Sequence, residues 1–231
     1  MLWKAGEKSI VIEKIPWPLS RLYDRFPNRI FASWFKVIAD EIESRGISGN
    51  ILDIGTGPGR LPIEIARRIK DARLFGLDLS DDMIAIARGN AAREGVGGRV
   101  EFKVANACAT GFESNFLDLI VSTETLHHIP KPVDAFNEIY RVLKPGGQAW
   151  IFDGRSDATM EEYDQTARML GIDALPLPMR LVKRFWAHGH TGLKTAEYFS
   201  GKIARAISES LFTKADIRTE GAFIRIELKK P

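Results

Sequence analysis

The stretch Ile51-Leu52-Asp53-Ile54 runs directly into Gly55-Thr56-Gly57-Pro58-Gly59, and then into Leu61, Ile65, Ala66 and Ile69 at helical spacing. A short, mainly apolar run, a glycine-rich turn and an amphipathic helix in that order predict a strand buried in a parallel sheet with a helix packed back on it. Arg67, Arg68 and Lys70 fall in the last turn of that helix, where cations suit the carbonyl end of the dipole. Glycines in such a turn let a ligand approach the backbone, and the following helix N-terminus offers N–H groups to an anion. Any tight strand–helix turn also needs glycine, so the turn marks a binding site only in company.

The alternation continues. Leu74 to Leu77 is a second buried strand; Ser80 can cap the next helix, with Asp81 and Asp82 in its first turn and Met83 and Ala87 facing inward. Val100, Phe102 and Val104 alternate as a third strand, and Leu117 to Val121 is a fourth, apolar apart from Asp118. After Pro130 and Pro132 a helix turns Val133, Phe136, Tyr140 and Leu143 inward and stops at Lys144-Pro145-Gly146-Gly147, before a fifth strand at Gln148 to Phe152. A helix at Met160 to Leu170, a bulky stretch to Trp186, a His188-Gly189-His190 loop and a helix at Thr195 to Ser208 follow. Ile217–Glu220 and Phe223–Leu228, joined at Gly221, read as a closing hairpin. Leu19 to Ile42 is helical by its spacing of four, with Pro27 splitting it. The expected fold is α/β: a Rossmann-like, doubly wound, mostly parallel seven-stranded sheet with a C-terminal antiparallel hairpin and an N-terminal helical lid.

A single domain over 1–231 is expected, divided into an N-terminal lid (1–48), a cofactor-binding core (49–153), a substrate-side lid with helices (154–212) and the hairpin (213–231). With 45% hydrophobic and 27% charged residues the chain can bury a core without staples. Cys108 stands alone, which excludes an internal disulfide and a cysteine zinc cluster and favours a reducing, cytoplasmic setting. No apolar run has the length of a signal-peptide core at the N-terminus or of a membrane span anywhere. The net charge of +3 is too small for a nucleic-acid footprint. The whole of that mild excess lies from Arg155 onward.

Asp78 stands at the end of the second strand, twenty-three residues after Gly55, where an acid can accept the two hydroxyls of a ribose. The alternative, a helix N-cap, is already filled by Ser80. A dinucleotide fingerprint wants Gly-x-Gly-x-x-Gly; here the third glycine comes one residue early and Asp53 precedes the turn, which favours a different adenosine ligand.

At this point the chain resembles the class I S-adenosylmethionine-dependent methyltransferases, particularly the small-molecule branch that includes quinone-ring methyltransferases. The resemblance runs from Ile51 to Phe152 and includes Gly76-Leu77-Asp78-Leu79-Ser80-Asp81-Asp82-Met83, Leu117-Asp118-Leu119-Ile120-Val121-Ser122, Leu126-His127-His128 and Arg141-Val142-Leu143-Lys144-Pro145-Gly146-Gly147. It implies that Gly55, Thr56 and Gly57 line the methionine end of S-adenosylmethionine, with Asp53 supporting the turn, and that Asp78 holds the ribose. Leu79, Met83 and Ala107 would lie at the adenine, although Met83 is equally readable as core. Asn106 takes the place where the family usually has Asp, and its carbonyl would accept from the adenine amino group without charge assistance. Thr123 would sit beside the transferable methyl, and Tyr23 resembles a tyrosine placed over the cofactor.

For a general base the candidates are His127, His128, Glu124 and Asp153, with Arg155 as a substrate clamp; His128 is also readable as a structural histidine. No metal is expected: His188 and His190 lack a nearby third ligand. The family's Asn/Asp-Pro-Pro-aromatic and Pro-Cys nucleic-acid motifs are missing, so a small-molecule acceptor is expected. Ala174 to Trp186 reads as a lid for an apolar acceptor with an anionic group, with Leu175, Leu177, Met179 and Leu181 as lining and Arg180, Lys183 and Arg184 as cations. An amphipathic helix on the body, a homodimer contact or a membrane-surface helix are the other readings of that stretch. Two other functions remain open: a nicotinamide-dependent oxidoreductase on a similar sheet, and a cofactor-binding but non-catalytic partner subunit.

Overall fold

The computed structural model describes residues 28–170 and 195–231. Its strands are β1 (Asn50–Ile54), β2 (Arg73–Asp78), β3 (Val100–Val104), β4 (Leu117–Thr123), β5 (Leu143–Gly154), β6 (Ala215–Glu220) and β7 (Phe223–Lys229). They form one sheet in the order β3-β2-β1-β4-β5-β7-β6. β1 to β5 are parallel, and β7 runs antiparallel to both β5 and β6. Seven α-helices accompany them among the described residues: α1 (Asn28–Ser44), α2 (Arg60–Arg68), α3 (Asp81–Arg93), α4 (Pro132–Val142), α5 (Met160–Met169), α6 (Thr195–Phe199) and α7 (Lys202–Ser208). None is long and apolar enough to cross a membrane.

Successive strand residues face opposite sides, so Ile51 and Leu52 enter two different cores. On one side Trp34, Ile38 and Ile42 of α1, Ile65 of α2 and Ala87 of α3 pack with Ile51, Leu74, Trp150 and Phe152. On the other, Phe136 and Ile139 of α4, Tyr198 of α6 and Ile203 and Ile207 of α7 pack with Leu52, Ile54, Leu77 and Ile226. Each such large apolar side chain taken out of water stabilises the fold by about 1.5–3 kcal/mol. The strand order reverses between β2-β1 and β4-β5, and the crevice beyond the carboxyl ends of β1 and β4 is where an open α/β sheet takes its ligand.

Several local expectations change. Val104 is 44% exposed rather than inward, because β3 is an edge strand and Val104 is its last residue. Leu143 opens β5 instead of closing α4, and the pairing jumps from Leu117↔Leu143 to Leu119↔Gln148, so Lys144-Pro145-Gly146-Gly147 is a bulge within the strand rather than a stop before it. Thr195 to Ser208 is two short helices, not one. Gly201 separates them, and a Cβ there would lie 2.5 Å from the Glu197 Cα.

The hairpin is locked to α1. Arg225 of β7 is 5% exposed and forks onto Glu41, with Nη1 and Nη2 each 2.7 Å from a carboxylate oxygen, while its guanidinium lies over the rings of Trp150 and Phe152. Those charges hold the Glu41 carboxyl below its ordinary range against the opposing effect of burial.

Candidate functional site

Three glycines with positive φ make the turn after β1: Gly55 at 73°, Gly57 at 51° and Gly59 at 75°. Two of them are required by packing. A Cβ on Gly55 would lie 2.1 Å from the Thr125 hydroxyl, and one on Gly59 would lie 2.8 Å from Ala87 and Phe102. Gly57 differs: an added Cβ meets nothing within 4 Å, so the tip of the turn faces open space.

The turn's own N–H groups are largely engaged. Gly55 and Thr56 both donate to the Leu77 carbonyl at 2.9 Å, Gly59 donates to the Thr56 carbonyl at 2.9 Å, and Gly57 donates to Asp78 Oδ2 at 2.9 Å. The expected cradle of free N–H groups for an anion is therefore spent inside the protein at these four positions. Carboxylates flank the turn instead. Asp53 is 3% exposed, and its Oδ1 has no hydrogen-bond partner. Burial pushes its pKa up to about 7, opposed by the Thr56 hydroxyl and reinforced by the charge of Asp78.

Asp78 ends β2 and accepts the Ser80 N–H on Oδ1 at 2.9 Å as well as the Gly57 N–H. A carboxylate oxygen can accept more than one donor, so these bonds are compatible with a ligand hydroxyl on the same group. Ser80 caps α3 through the Met83 N–H, as its place in the sequence suggests. Met83 is 2% exposed, and Leu79 is half-buried beside Asp78. Past β3, Asn106 is exposed and its Oδ1 accepts the Cys108 N–H at 2.8 Å, while Ala107 is buried. Thr123 ends β4, and its carbonyl accepts from the Thr125 hydroxyl. The residues read as cofactor-binding among those described thus collect at the carboxyl ends of β1, β2, β3 and β4. Tyr23, His188, His190 and the stretch Ala174 to Trp186 lie outside the described residues.

A second cluster stands at the ends of β4 and β5. Asp153, 1% exposed, accepts the His127 backbone N–H on Oδ2 at 2.9 Å and the Gly154 N–H on Oδ1 at 3.0 Å, and Oδ1 lies 2.5 Å from His127 Nδ1. The His127 side chain is 6% exposed and its Nε2 has no partner. Glu124 takes a left-handed backbone conformation, φ 52°, that its residue type rarely adopts. Its buried Oε1 also lacks a partner, and burial, then the charge of Asp153, pushes its carboxyl well above the usual range. Donor atoms of Glu124, His127 and Asp153 lie within 4.8 Å of one another. Asp153 and His127 are hydrogen-bonded to each other, and Glu124 lies beside that pair with its Oε1 unpartnered. His128 lies against His127 with ring centroids 3.9 Å apart and the ring planes tilted by 46°; burial and then His127 lower its pKa.

Arg155 does not stand free as a clamp. It is 10% exposed, with Nη1 2.6 Å from Glu162 Oε1 and 2.9 Å from the Gly221 carbonyl, and so fastens α5 to the hairpin. Sequence reasoning missed Thr125, whose side chain fills the space over Gly55, and Ser122, whose hydroxyl donates to the Ile54 carbonyl at 3.0 Å and ties β4 to the turn. Neither carries a local signal: Ser122 and Ile54 stand 68 residues apart, and Thr125 meets Gly55 from a comparably distant part of the chain.

The comparisons agree with this geometry. Residues 51–147 match the model of a methyltransferase domain family. A ubiquinone/menaquinone biosynthesis C-methyltransferase of Hydrogenovibrio crunogenus is 36% identical over 115 residues, 48% of this chain and 45% of that protein. Its counterpart in Geobacter sulfurreducens is 31% identical over 164 residues, 71% of this chain and 64% of that protein. The chain thus spans between about half and two thirds of these relatives. In fold it is similar to a structure from Methanococcus maripaludis assigned to the S-adenosyl-L-methionine-dependent methyltransferases, with TM-score 0.72, 24% identity and 91% of each chain covered. It is also similar to geranyl diphosphate C-methyltransferase of Streptomyces coelicolor, crystallised with S-adenosyl-L-homocysteine, with TM-score 0.59, 15% identity and 84% and 76% covered. The glycine turn after β1 and the acid at the end of β2 lie within the matched segment, and that segment, residues 51–147, is a methyltransferase domain of the class I S-adenosylmethionine-dependent kind.

Proposed function

We propose that the chain transfers the methyl group of S-adenosylmethionine to a small organic acceptor. The observation that carries this reading is the buried Asp53 Oδ1 without a partner, under a turn whose tip is open. A buried carboxylate lacking a donor favours a ligand that brings a cation. S-adenosylmethionine carries an ammonium at its methionine end, whereas a nicotinamide dinucleotide would bring a pyrophosphate against Asp53 and Asp78 and find four of the turn's N–H groups already used. The residues present therefore fit the sulfonium cofactor better than the dinucleotide.

In this reading Asp53, Gly55, Thr56 and Gly57 hold the methionine end, Asp78 the ribose, and Leu79, Met83 and Ala107 the adenine, with Asn106 at its amino group, Thr123 beside the methyl and Tyr23 over the cofactor. Bound there, S-adenosylmethionine supplies a methyl group already activated by the sulfonium. The work left to the protein is to hold the acceptor in line and keep water out. Relatives named for quinones and sterols, and a fold neighbour named for geranyl diphosphate, support an acceptor that is apolar. An anionic group on it would meet the cations of Ala174 to Trp186, acting as a lid over a single domain. A cytoplasmic setting and a homodimer complete the reading.

Calorimetry with S-adenosylhomocysteine and NADH, followed by incubation with methyl-labelled S-adenosylmethionine and a metabolite extract, tests it. Binding of the first ligand alone and a methylated product by mass spectrometry are expected. NADH binding would favour the oxidoreductase, and cofactor binding without any methylated product would favour the non-catalytic subunit.

A further inference from the structure

The cluster at the ends of β4 and β5 leaves one basic nitrogen uncommitted. Asp153 accepts His127's own backbone N–H and the Gly154 N–H, which fixes the orientation of the carboxylate, and Nδ1 lies 2.5 Å from it. Such a contact places the imidazole proton on Nδ1 and leaves the lone pair on Nε2. A histidine side chain with only 6% exposure whose second nitrogen has no partner is costly to keep for structure alone. Glu124, next to the cluster, has its carboxyl pushed well above the ordinary range by burial and then by the Asp153 charge. The groups facing His127 are then the Asp153 carboxyl from β5, Glu124 and His128 from the segment after β4, both shifted toward their neutral forms, and, beyond Glu124, Tyr163 of α5, whose phenol burial holds above its ordinary range. The Asp153 carboxylate is the group placed to stabilise an imidazolium at this ring.

We infer that His127 Nε2 is the general base for the methyl acceptor, with Asp153 as its positioning residue, and that the acceptor is a molecule whose reacting atom carries a proton at neutral pH, such as a phenol, an enol or an acidic ring carbon, rather than a carboxylate. This rests on the proposed methyl transfer. In the step, the acceptor's X–H bond breaks and its proton goes to Nε2. The electron pair left on X forms the new bond to the methyl carbon as the S–CH3 bond breaks with its pair remaining on sulfur. The imidazolium passes its proton to water after product release.

The chain has four histidines, so ring-15N labelling with His127→Gln as the assignment control reads the tautomer directly in the ligand-free protein. An Nδ1–H tautomer for His127 is expected, and that preference should weaken in Asp153→Asn, whose amide can donate as well as accept. An Nε2–H tautomer, or a tautomer preference unchanged in Asp153→Asn, overturns the assignment. In the second arm, methyl-labelled S-adenosylmethionine and a metabolite extract are given to both proteins. His127→Gln should keep S-adenosylhomocysteine affinity within twofold and lose at least about a hundredfold in label transferred, the usual reach of a general base. Equal transfer by His127→Gln, a methyl ester as the labelled product, or transfer abolished by EDTA and restored by Mg2+ overturns the inference while leaving methyl transfer intact. No transfer by the unsubstituted protein would instead defeat the underlying function.

Discussion

The Gly57 N–H donates to Asp78 Oδ2 at 2.9 Å, which joins the tip of the glycine turn to the end of β2. The acid proposed for the ribose therefore also holds the shape of the turn proposed for the methionine end. Removing it should damage both halves of the cofactor site at once. Asp78→Ala is expected to weaken S-adenosylmethionine binding by about 1.5–3 kcal/mol or slightly more, read by calorimetry on a variant that still unfolds cooperatively. Unchanged affinity would take the ribose away from Asp78.

Asp53, with a pKa pushed up to about 7, should make cofactor binding sensitive to pH. An arriving ammonium favours the ionised carboxyl, so binding slightly below that pKa should release a fraction of a proton and tighten as pH rises through about 7. Titrations in two buffers of different ionisation heat measure the release directly. The ligand-free protein should show the opposite trend. Its Asp53 keeps a proton that the unfolded chain loses near pH 4, so this group lowers stability as pH rises from about 4 to 7, and Asp53→Asn should flatten that slope.

Asn106→Asp should keep or improve cofactor affinity. The Asn106 Oδ1 already accepts the Cys108 N–H, a contact a carboxylate makes equally well, and the exposed position spares the new charge a burial penalty. The added charge strengthens any acceptor role toward the adenine amino group. Collapse of affinity in a folded variant would mean that Asn106 acts as a donor.

Replacing residues 176–184 by a short Gly-Ser linker tests the proposed lid. Retained S-adenosylhomocysteine affinity with lost transfer to the extract is the expected outcome. Full transfer would leave the segment as a helix on the body or a contact between copies.

Glu41→Gln should cost about 1–3 kcal/mol in chemical denaturation at pH 7, because the buried Arg225 loses its forked partner while Glu227 and Glu220 still offset part of its charge. The Glu41 carboxyl titrates below its ordinary range, so its contribution is present at neutral pH and fades as pH falls through that lowered value. The unsubstituted protein should therefore lose more stability on acidification than Glu41→Gln.

The parallel core was legible because each strand, turn and helix carries its own period and punctuation: Ile51 to Gly59 and Ser80 to Ala87 read correctly from local chemistry. Val104 and Leu143 were misplaced because their fate depends on which strand is at the edge and where β5 bulges, neither of which is local. The break at Gly201 was hidden for the same reason, since it comes from the close approach of the two chain segments. In the site, Asp53 and Asp78 could be found from their spacing to the glycines. The pairing of His127 with Asp153, the left-handed Glu124 and the commitment of Arg155 to Glu162 could not, since each joins separate parts of the fold.

The antiparallel hairpin has a consequence for how the chain comes together during synthesis. Until β7 emerges, β5 is an open parallel edge that presents Trp150, Ile151 and Phe152 in a row with unpaired backbone groups. β7 follows it by about seventy residues, so a nascent chain halted in between should stick to other chains or recruit a chaperone, and its solubility should recover once Phe223–Lys229 has left the ribosome.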